Sequence, residues 1–479
     1  MEQLQKIVDI GNTVLWSYLL IILLMGVGLY FTYKTGFVQF KHFAEMFRLL
    51  RDKNTFSKKK TGVSSLGAFF ISAASRIGTG NLAGVASAIA LGGPGAIFWM
   101  WLIALIGSAT AFVESTLAQV YKVKDKEGFR GGPAYYIEQG LKARWLGIVF
   151  AILIIISFGL VFNSVQANTI SLAFENAFGM DRQTLGIILA VLTGIVIFGG
   201  VKRVAKVSSV VVPIMAGIYI LVALFVLVMN VTEIPAMFAL IFKSAFGLEQ
   251  AVGGGVGAAI MMGIKRGLFS NEAGMGSAPN AAATANVSHP AKQGFIQSLG
   301  VIVDTIIICS ATALIILLSG GYASGAEGIA LTQLALTEHI GSWASSFIAI
   351  AIMFFAFSSI IGNYYYGETN IEFIRSSKFM LFIYRLAVVG MVLFGSLASI
   401  KIVWDLADLF MGLMALVNLL AITLLGKFAY AVLKDYVQQK KAGKDPVFFS
   451  SSIKELQHIE LEHWQDATTN REEQEQQAR

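Results

Sequence analysis

Long apolar runs alternate with short polar segments along most of the chain. A helix needs about 20 consecutive, mainly apolar residues to cross a lipid bilayer, and several runs approach or exceed this length without interruption. The pattern therefore predicts uninterrupted membrane-spanning helices over these segments: Val14–Tyr33, Ile97–Tyr121, Trp145–Phe178, Thr184–Gly200, Val207–Met229, Phe295–Ser319, Trp343–Gly367, Phe379–Leu397 and Val403–Leu425.

Two further apolar segments, Val63–Leu91 and Gly253–Ala285, are interrupted by glycine and polar residues. Irregular backbone survives at membrane depth only inside protein or beside a water-filled cavity. A break in the first segment would present the N–H groups of Thr79, Gly80 and Asn81 to an anion, because they would start a new half-helix. It would also leave carbonyl groups on the preceding half for a small cation. The alternative is that the glycines only allow helices to pack closely.

The 11 predicted spans form one extra N-terminal helix and two sets of five, each opening with an interrupted helix. In the second interrupted helix the break is predicted within Ser270–Gly276. An odd number of spans per set makes the sets insert in opposite orientations, and such paired interruptions are typical of secondary transporters. The predicted parts are the extra helix, a cytoplasmic interfacial amphipathic segment, two inverted repeats and a cytoplasmic tail, at residues 1–34, 35–62, 63–231, 232–426 and 427–479.

Composition and charge indicate an all-α polytopic membrane protein. Hydrophobic residues make up 56% of the chain and charged residues 14%, whereas soluble domains carry about 25% charged residues. Lysine and arginine are concentrated in the loops after the first, third and fifth spans. The positive-inside rule therefore predicts a cell-membrane protein with its N-terminus outside and its C-terminus in the cytoplasm. The net charge of +7 follows this topology and does not indicate a nucleic-acid partner.

Side chains with catalytic or metal-binding chemistry are sparse. Cys309 is the single cysteine, which excludes an intrachain disulfide and a cysteine-based metal cluster. The five histidines fall in loops or tails without metal-ligand spacing. Since no catalytic cluster emerges, the sequence predicts a transporter and not an enzyme.

Five ionisable residues lie at or near membrane depth, where such groups are costly and are functional by default. The interpretation favoured from the sequence is that they form structural ion pairs on the cytoplasmic side, and the alternative is a role in transport. The five are Glu114, Lys265, Arg266, Glu272 and Asp304.

Two long stretches resemble the alanine/glycine:cation symporter family. They are GTGNLAGVASAIALGGPGAIFWMWLIALIGSATAFVE at Gly78–Glu114 and KRGLFSNEAGMGSAPNAAATA at Lys265–Ala285. The resemblance implies sodium-coupled uptake of small neutral L-amino acids, of the alanine and glycine class, by alternating access. It also implies a LeuT-type five-plus-five inverted repeat, embedded in the lipid bilayer and expected to act as a monomer.

The resemblance also implies which residues bind substrate and sodium. The substrate carboxylate would lie at the first break, and the rest of the amino acid would contact the third helix of the repeat, the second break and the helix that carries the paired serines. These substrate-binding residues are Thr79, Gly80, Asn81, Gln166, Phe174, Ser270, Asn271, Gly274 and Asn363. The implied sodium ligands, all oxygen atoms as a hard cation requires, are the carbonyls of Ala74 and Ile77 and the hydroxyls of Ser358 and Ser359.

One position departs from the family pattern. Family members usually carry tryptophan where this chain has Asn363, within SSIIGNYYYGE. A smaller side chain that donates and accepts hydrogen bonds would enlarge the pocket and suit a longer amide, which raises glutamine or asparagine as the preferred substrate. A proton-coupled amino acid transporter and an uncoupled channel or facilitator remain as alternatives.

Overall fold

The structure, a computed structural model, describes residues 2–51, 63–125, 128–198, 201–247 and 255–464. Four predicted elements extend outside the described residues: the interfacial segment at 52–62, the fifth span at 199–200, the second interrupted helix at 253–254 and the tail at 465–479.

Helices form most of the regular structure. In chain order, the main helices are α1 (Gln5–Lys34), α2 (Ser65–Arg76), α3 (Gly80–Gly92), α4 (Ala96–Val120), α5 (Arg144–Phe178), α6 (Arg182–Ile197), α7 (Val201–Met229), α8 (Ile234–Ala245), α9 (Val256–Asn271), α10 (Ala278–Ala282), α11 (Pro290–Ser319), α12 (Gly328–Ile340), α13 (Trp343–Ile374), α14 (Lys378–Leu397) and α15 (Ile400–Lys441). Minor elements are the short helices Val38–Lys41, Phe43–Leu50 and Pro133–Leu141 and an antiparallel hairpin of β1 (Val123–Asp125) and β2 (Gly128–Arg130).

Seven helices in the described part of the chain are long and apolar enough to cross a membrane: α1, α4, α5, α11, α13, α14 and α15. An eighth span is reached when Pro213–Met229 of α7 and the whole of α8, bent by 101° at their junction, are counted together. Helices α3 and α6 are apolar but shorter, and α2 and α9 belong to the interrupted segments. The chain is therefore a multi-pass helical membrane protein.

The first interrupted helix breaks between α2 and α3. Ser64 begins α2 by accepting a hydrogen bond from the Gly67 N–H at 3.0 Å, which satisfies one of the free donors of a helix start. The helix ends at Arg76 because Ile77 adopts extended backbone angles (φ −79°, ψ 91°). The chain re-enters a helix at Gly80, through a wide π-helical turn.

The second interrupted helix breaks between α9 and α10. Helix α9 ends at Asn271, inside the interval predicted from the sequence. Three of the next five residues have left-handed backbone angles: Glu272, Gly274 and Gly276. After this break the chain forms only the five-residue α10 before α11 begins at Pro290.

Helix α4 occupies the centre of the bundle, where it packs against α1, α9 and α11. Glycine allows its closest contacts, since an added Cβ at Gly263 of α9 would lie 2.4 Å from the Ala96 carbonyl oxygen. Peripheral helices instead expose an apolar stripe, as Ile187, Val191 and Ile195 do on α6. Buried small residues inside and exposed aliphatic residues outside are the pattern of a bundle that faces lipid.

The chain after α15 folds back onto one end of the bundle. The Phe448 N–H donates to the Ser288 carbonyl at 2.9 Å, and the Trp464 indole N–H donates to the Gln119 carbonyl at 3.0 Å. Both aromatic side chains are buried. We call residues 443–464 the docked tail; it joins the end of α4 to the segment that precedes α11.

Candidate functional site

The first break lies against α13. The Ser359 hydroxyl of α13 donates to the Ala74 carbonyl of α2 at 2.8 Å. Glycine makes this approach possible, because a Cβ at Gly78 would lie 2.2 Å from Ser359 Oγ. Two of the four predicted sodium ligands are thereby brought together at the broken end of α2. The Ser358 hydroxyl points elsewhere and donates to Phe355 within its own helix at 2.8 Å.

On its other sides the break contacts α5 and α9. The Thr79 N–H donates to Gln166 Oε1 of α5 at 3.1 Å. A Cβ at Gly80 would lie 3.0 Å from Ser270 Cα, so the two interrupted helices touch at this point. Four predicted substrate residues from three separate parts of the chain are therefore neighbours.

Both amide atoms of the Asn81 side chain make hydrogen bonds within the protein. Its Oδ1 accepts from the Gly78 N–H at 2.9 Å, and its Nδ2 donates to Asp304 Oδ1 at 2.7 Å and to Ser270 Oγ at 3.1 Å. The Ser270 hydroxyl in turn donates to Asp304 Oδ2 at 2.7 Å. Asn81 and Ser270 are thus held by the buried carboxylate of Asp304, and their side chains fix the shape of the break.

Asn363 faces the last turn of α2. Its Oδ1 lies 2.6 Å from the Ser75 hydroxyl, which is also 2.7 Å from Glu272 Oε1. The close passage of α13 depends on Gly362, where a Cβ would lie 3.0 Å from Ser75 N. The second amide atom of Asn363, Nδ2, is buried and has no hydrogen-bond partner among the described residues.

The remaining predicted substrate residues are less directly connected to the first break. The Gly274 N–H donates to Glu114 Oε1 at 3.0 Å, and its carbonyl accepts from Asn418 at 2.9 Å. Asn271 accepts from the Ala273 N–H at 3.0 Å through its Oδ1. Phe174 lies about 12 Å along α5 from Gln166 by helical rise, and its ring packs on Phe178 at 5.3 Å.

The sequence-based interpretation of the five ionisable residues needs correction. Lys265 and Arg266 do form a buried ion pair, with Asp408 of α15, at 3.3 Å and 2.8 Å. Among the described residues, the three carboxylates Glu114, Glu272 and Asp304 are instead bound by neutral hydroxyl, amide and backbone N–H groups. Neutral donors satisfy the oxygens of these carboxylates, and the buried guanidinium of Arg76 lies close enough to act electrostatically on all three.

Sequence reasoning missed three kinds of contact in the site. Ser75 links the two breaks to Asn363, but one serine in an apolar helix carries no signal of its own. The charge of Asp304 makes it conspicuous in an apolar segment, but nothing in the sequence pairs it with Asn81. Finally, Phe269 packs between Phe162 at 4.6 Å and Trp404 at 4.7 Å beside Gly80, and aromatic residues are too frequent in this chain for such a stack to be recognised.

The chain is similar to known amino acid carriers over nearly its whole length. The family model described as the sodium:alanine symporter family matches residues 1–450. The chain is 59% identical over 462 residues to the probable sodium/glutamine symporter GlnT of Bacillus subtilis, covering 96% of each protein. It is 61% identical over 461 residues to the amino-acid carrier protein AlsT of the same organism, covering 96% of this chain and 98% of that protein.

One more distant relative and one solved structure are also similar to this chain. The sodium/alanine symporter AgcS of Methanococcus maripaludis is 37% identical over 446 residues, covering 91% of this chain and 98% of that protein. A crystal structure of a manganese transporter mutant from Eremococcus coleocola has a similar fold, with a TM-score of 0.51 over 79% of this chain and 88% of that one. At 13% identity, this second likeness concerns the fold alone.

Proposed function

Because the chain belongs to the sodium:alanine symporter family, we propose that it takes up small neutral L-amino acids by sodium-coupled alternating access, with glutamine or asparagine preferred over alanine and glycine. Family membership makes the protein a membrane transporter and not an enzyme, with sodium as the co-transported ion. The preferred substrate and the residues that bind it are our proposal.

The observation that carries the substrate site is a set of buried polar atoms without hydrogen-bond partners among the described residues. They are Thr79 Oγ1, Asn271 Nδ2 and the Asn363 amide atom that faces away from Ser75, and all three belong to residues that the family resemblance implies for substrate binding. A buried polar atom left unpaired costs about 1–3 kcal/mol, so its presence calls for a partner. A zwitterionic amino acid with a polar side chain offers such partners, with Gly80, Gln166 and the other predicted residues around it.

The proposed sodium site lies beside it. Ala74 O and Ser359 Oγ are 2.8 Å apart, which is close enough for both to bind one cation at the distances that hard cations adopt with oxygen. The Ile77 carbonyl lies in the extended residue at the break, and the Ser358 hydroxyl would need to turn away from Phe355 to contribute.

The proposed topology has 11 spans, in which two inverted repeats of the LeuT type follow one extra helix. It is supported by the two interrupted helices, which meet at Gly80 and Ser270 and again where the Val63 N–H donates to the Thr284 carbonyl at 3.3 Å. We place the N-terminus outside, the tail in the cytoplasm and the protein in the lipid bilayer as a monomer.

Uptake by purified protein in liposomes tests the coupling. An inward sodium gradient should drive labelled glutamine and alanine above their equilibrium distribution, and a potassium gradient should not. Accumulation driven equally by a proton gradient without sodium would support proton coupling. Equilibration without any ion gradient would support a channel or facilitator, and either result contradicts the proposal.

Asn363→Trp tests the substrate preference. The larger apolar ring should fill the space around the unpaired amide atom, so competition by alanine and glycine should strengthen relative to glutamine. An apolar pocket distinguishes substrates by about 1–3 kcal/mol per methylene, and a change of roughly tenfold in the glutamine-to-alanine ratio is expected. A wild-type protein that prefers alanine, with the same ranking in Asn363→Trp, would contradict this selectivity.

A further inference from the structure

Glu272 has an unusual backbone conformation at the second break. Its φ of +59° is left-handed, a region that residues other than glycine rarely occupy. The neighbouring Gly274 and Gly276 reach the same region without steric cost. Such strain persists only where the surroundings hold the residue in place, and it clusters at ligand sites. The Glu272 side chain is 1% exposed, so its carboxylate is directed into the protein.

The Glu272 carboxylate is connected to Asn363 through one hydroxyl group. Its Oε2 accepts from the Ser277 hydroxyl at 2.6 Å and its Oε1 from the Ser75 hydroxyl at 2.7 Å. Ser75 Oγ also lies 2.6 Å from the Asn363 amide. Ser75 therefore stands between two groups that both compete for its hydrogen.

A serine hydroxyl has only one hydrogen to donate. If Glu272 as a carboxylate takes the Ser75 hydrogen, the Asn363 atom that faces Ser75 must be the donating nitrogen. The oxygen and nitrogen of an asparagine amide are distinguished by their hydrogen-bond network and not by their shape. Exchanging the two atoms of Asn363 lets its amide nitrogen donate to Ser75 while Ser75 donates to Glu272, and it leaves the Asn363 carbonyl oxygen as the atom without a hydrogen-bond partner among the described residues.

We propose that Glu272, acting through Ser75, holds the Asn363 amide with its carbonyl oxygen toward the ligand, so that the site selects side chains that end in an N–H donor. The proposal rests on the proposed function, since it requires the substrate to contact Asn363. A buried carbonyl oxygen without a partner suits the NH₂ group of glutamine or asparagine, whereas a methyl group leaves it unpaired. Glu272 and Ser75 are positioning residues in this arrangement.

Competition by two close analogues tests the arrangement. Labelled alanine uptake into liposomes is competed by glutamine and by glutamate γ-methyl ester, which keeps the side-chain carbonyl but replaces the NH₂ group by a methoxy group. In the wild-type protein, glutamine should compete about tenfold or more better than the ester, because the ester leaves the Asn363 carbonyl unpaired.

Glu272→Gln and Ser75→Ala should both bring the glutamine-to-ester ratio toward one, because the Asn363 amide is then free to rotate. Labelled alanine uptake continues to report on folding, and a purely structural defect would lower it without changing the ratio. Ser72→Ala is the matched control: it removes a buried hydroxyl one turn earlier on α2, which donates to Gln297 at 2.7 Å, and it should keep the wild-type ratio. If Glu272→Gln fails to fold, Ser75→Ala alone decides.

A wild-type ratio that persists in both variants would overturn the role of Glu272 and Ser75 while leaving the amide preference intact. A wild-type protein that does not distinguish glutamine from its ester would overturn the orientation of Asn363, even if glutamine is preferred over alanine. Equal competition by glutamine, ester and alanine would overturn the proposed selectivity together with this inference.

Discussion

At the residue scale, the two serines of α13 are not equivalent. Both are predicted sodium ligands, but only the Ser359 hydroxyl reaches the broken end of α2, at 2.8 Å from the Ala74 carbonyl. The Ser358 hydroxyl donates to Phe355 in its own helix. Of the four predicted sodium ligands, the Ser359 hydroxyl and the Ala74 carbonyl therefore lie together at the break.

We expect Ser359→Ala to raise the sodium concentration for half-maximal uptake roughly tenfold, because one oxygen ligand at a buried site contributes about 1–2 kcal/mol. Ser358→Ala is the control, with a smaller shift expected. The measurement is the sodium dependence of uptake at a fixed substrate concentration. A larger effect of Ser358→Ala, or no effect when both serines are replaced by alanine, would place the ion elsewhere.

At the element scale, the two interrupted helices are held in contact by the lack of a side chain at Gly80. An added Cβ would lie 3.0 Å from Ser270 Cα and 3.2 Å from the Phe269 ring. The nearest atom belongs to the backbone of α9, which cannot move aside as easily as the end of a flexible side chain can. Helix α3 and helix α9 must therefore separate for any larger residue at this position.

Gly80→Ala should abolish uptake while membrane insertion and helix content stay unchanged, because the helices shift but each still forms. Gly217→Ala in α7 is the control, since a Cβ there meets nothing within 4 Å. Uptake, circular dichroism and the amount of protein in the membrane are measured for both variants. Normal uptake by Gly80→Ala would show that the close contact is not needed for transport.

The first break is predictable because its cause is local. Two glycines and an asparagine within GTGN weaken the helix wherever it packs. The second break is less predictable. Helix α9 ends at Asn271 because the next residue, Glu272, adopts left-handed backbone angles, and the local propensity of glutamate does not favour this conformation. The contacts that give Glu272 its surroundings come from Ser75, which lies 197 positions away in the chain. Such pairings depend on how whole helices pack, and that information is not contained in short motifs.

At the scale of the whole molecule, a buried ion pair joins α9 to α15 beside the site. Arg266 binds both oxygens of Asp408, at 3.0 Å and 2.8 Å, and its guanidinium lies over Trp404 at 4.3 Å. Lys265 also contacts Asp408, at 3.3 Å. Because Trp404 packs on Phe269 beside the first break, this cluster ties α15 to α9 across the site. In the proposed topology it lies on the outer side.

Asp408→Asn should lower the free energy of unfolding by about 3–5 kcal/mol, since it leaves two buried cations without their counter-charge. Asp9→Asn is the control: its ion pair with Lys401 is exposed, with 51% and 63% of the side chains accessible, and such pairs contribute about 0–1 kcal/mol. Thermal unfolding in detergent compares the two. Equal melting temperatures for Asp408→Asn and the wild type would show that the pair is not a stabilising contact.

The docked tail packs against the end of α4 and the segment before α11, and its contacts disfavour a protonated histidine. The buried ammonium of Lys122 lies over the rings of Phe129 at 4.2 Å and Trp464 at 5.0 Å. His463 packs on Phe129 at 4.4 Å. Burial, together with the charges of Lys122 and Lys124, lowers the pKa of His463 to about 2 from its ordinary value of 6.5. Burial also lowers the pKa of Lys122, so the surroundings of both side chains disfavour a further buried cation at His463.

The tail should therefore release in acid. A histidine that stays neutral when docked and titrates normally when free favours docking above pH 6.5, and this preference declines as the pH falls below 6.5. At pH 5 the loss amounts to about 2 kcal/mol. A glutamate-specific protease active at both pH values should cleave at Glu460 and Glu462 faster at pH 5 than at pH 7.5, relative to its rate on a peptide with the tail sequence.

His463→Phe identifies the titrating group, because it keeps the aromatic packing and cannot take up a proton. Its tail should be cleaved at the same relative rate at both pH values. His289 lies near the tail and burial also lowers its pKa, although Asp435 opposes the shift; this histidine is unchanged in the variant. Burial also lowers the pKa of Lys122, which contacts Trp464 of the tail. Acid release that persists fully in His463→Phe would therefore assign the response to His289 or Lys122, and would contradict the role of His463 in holding the tail against the bundle.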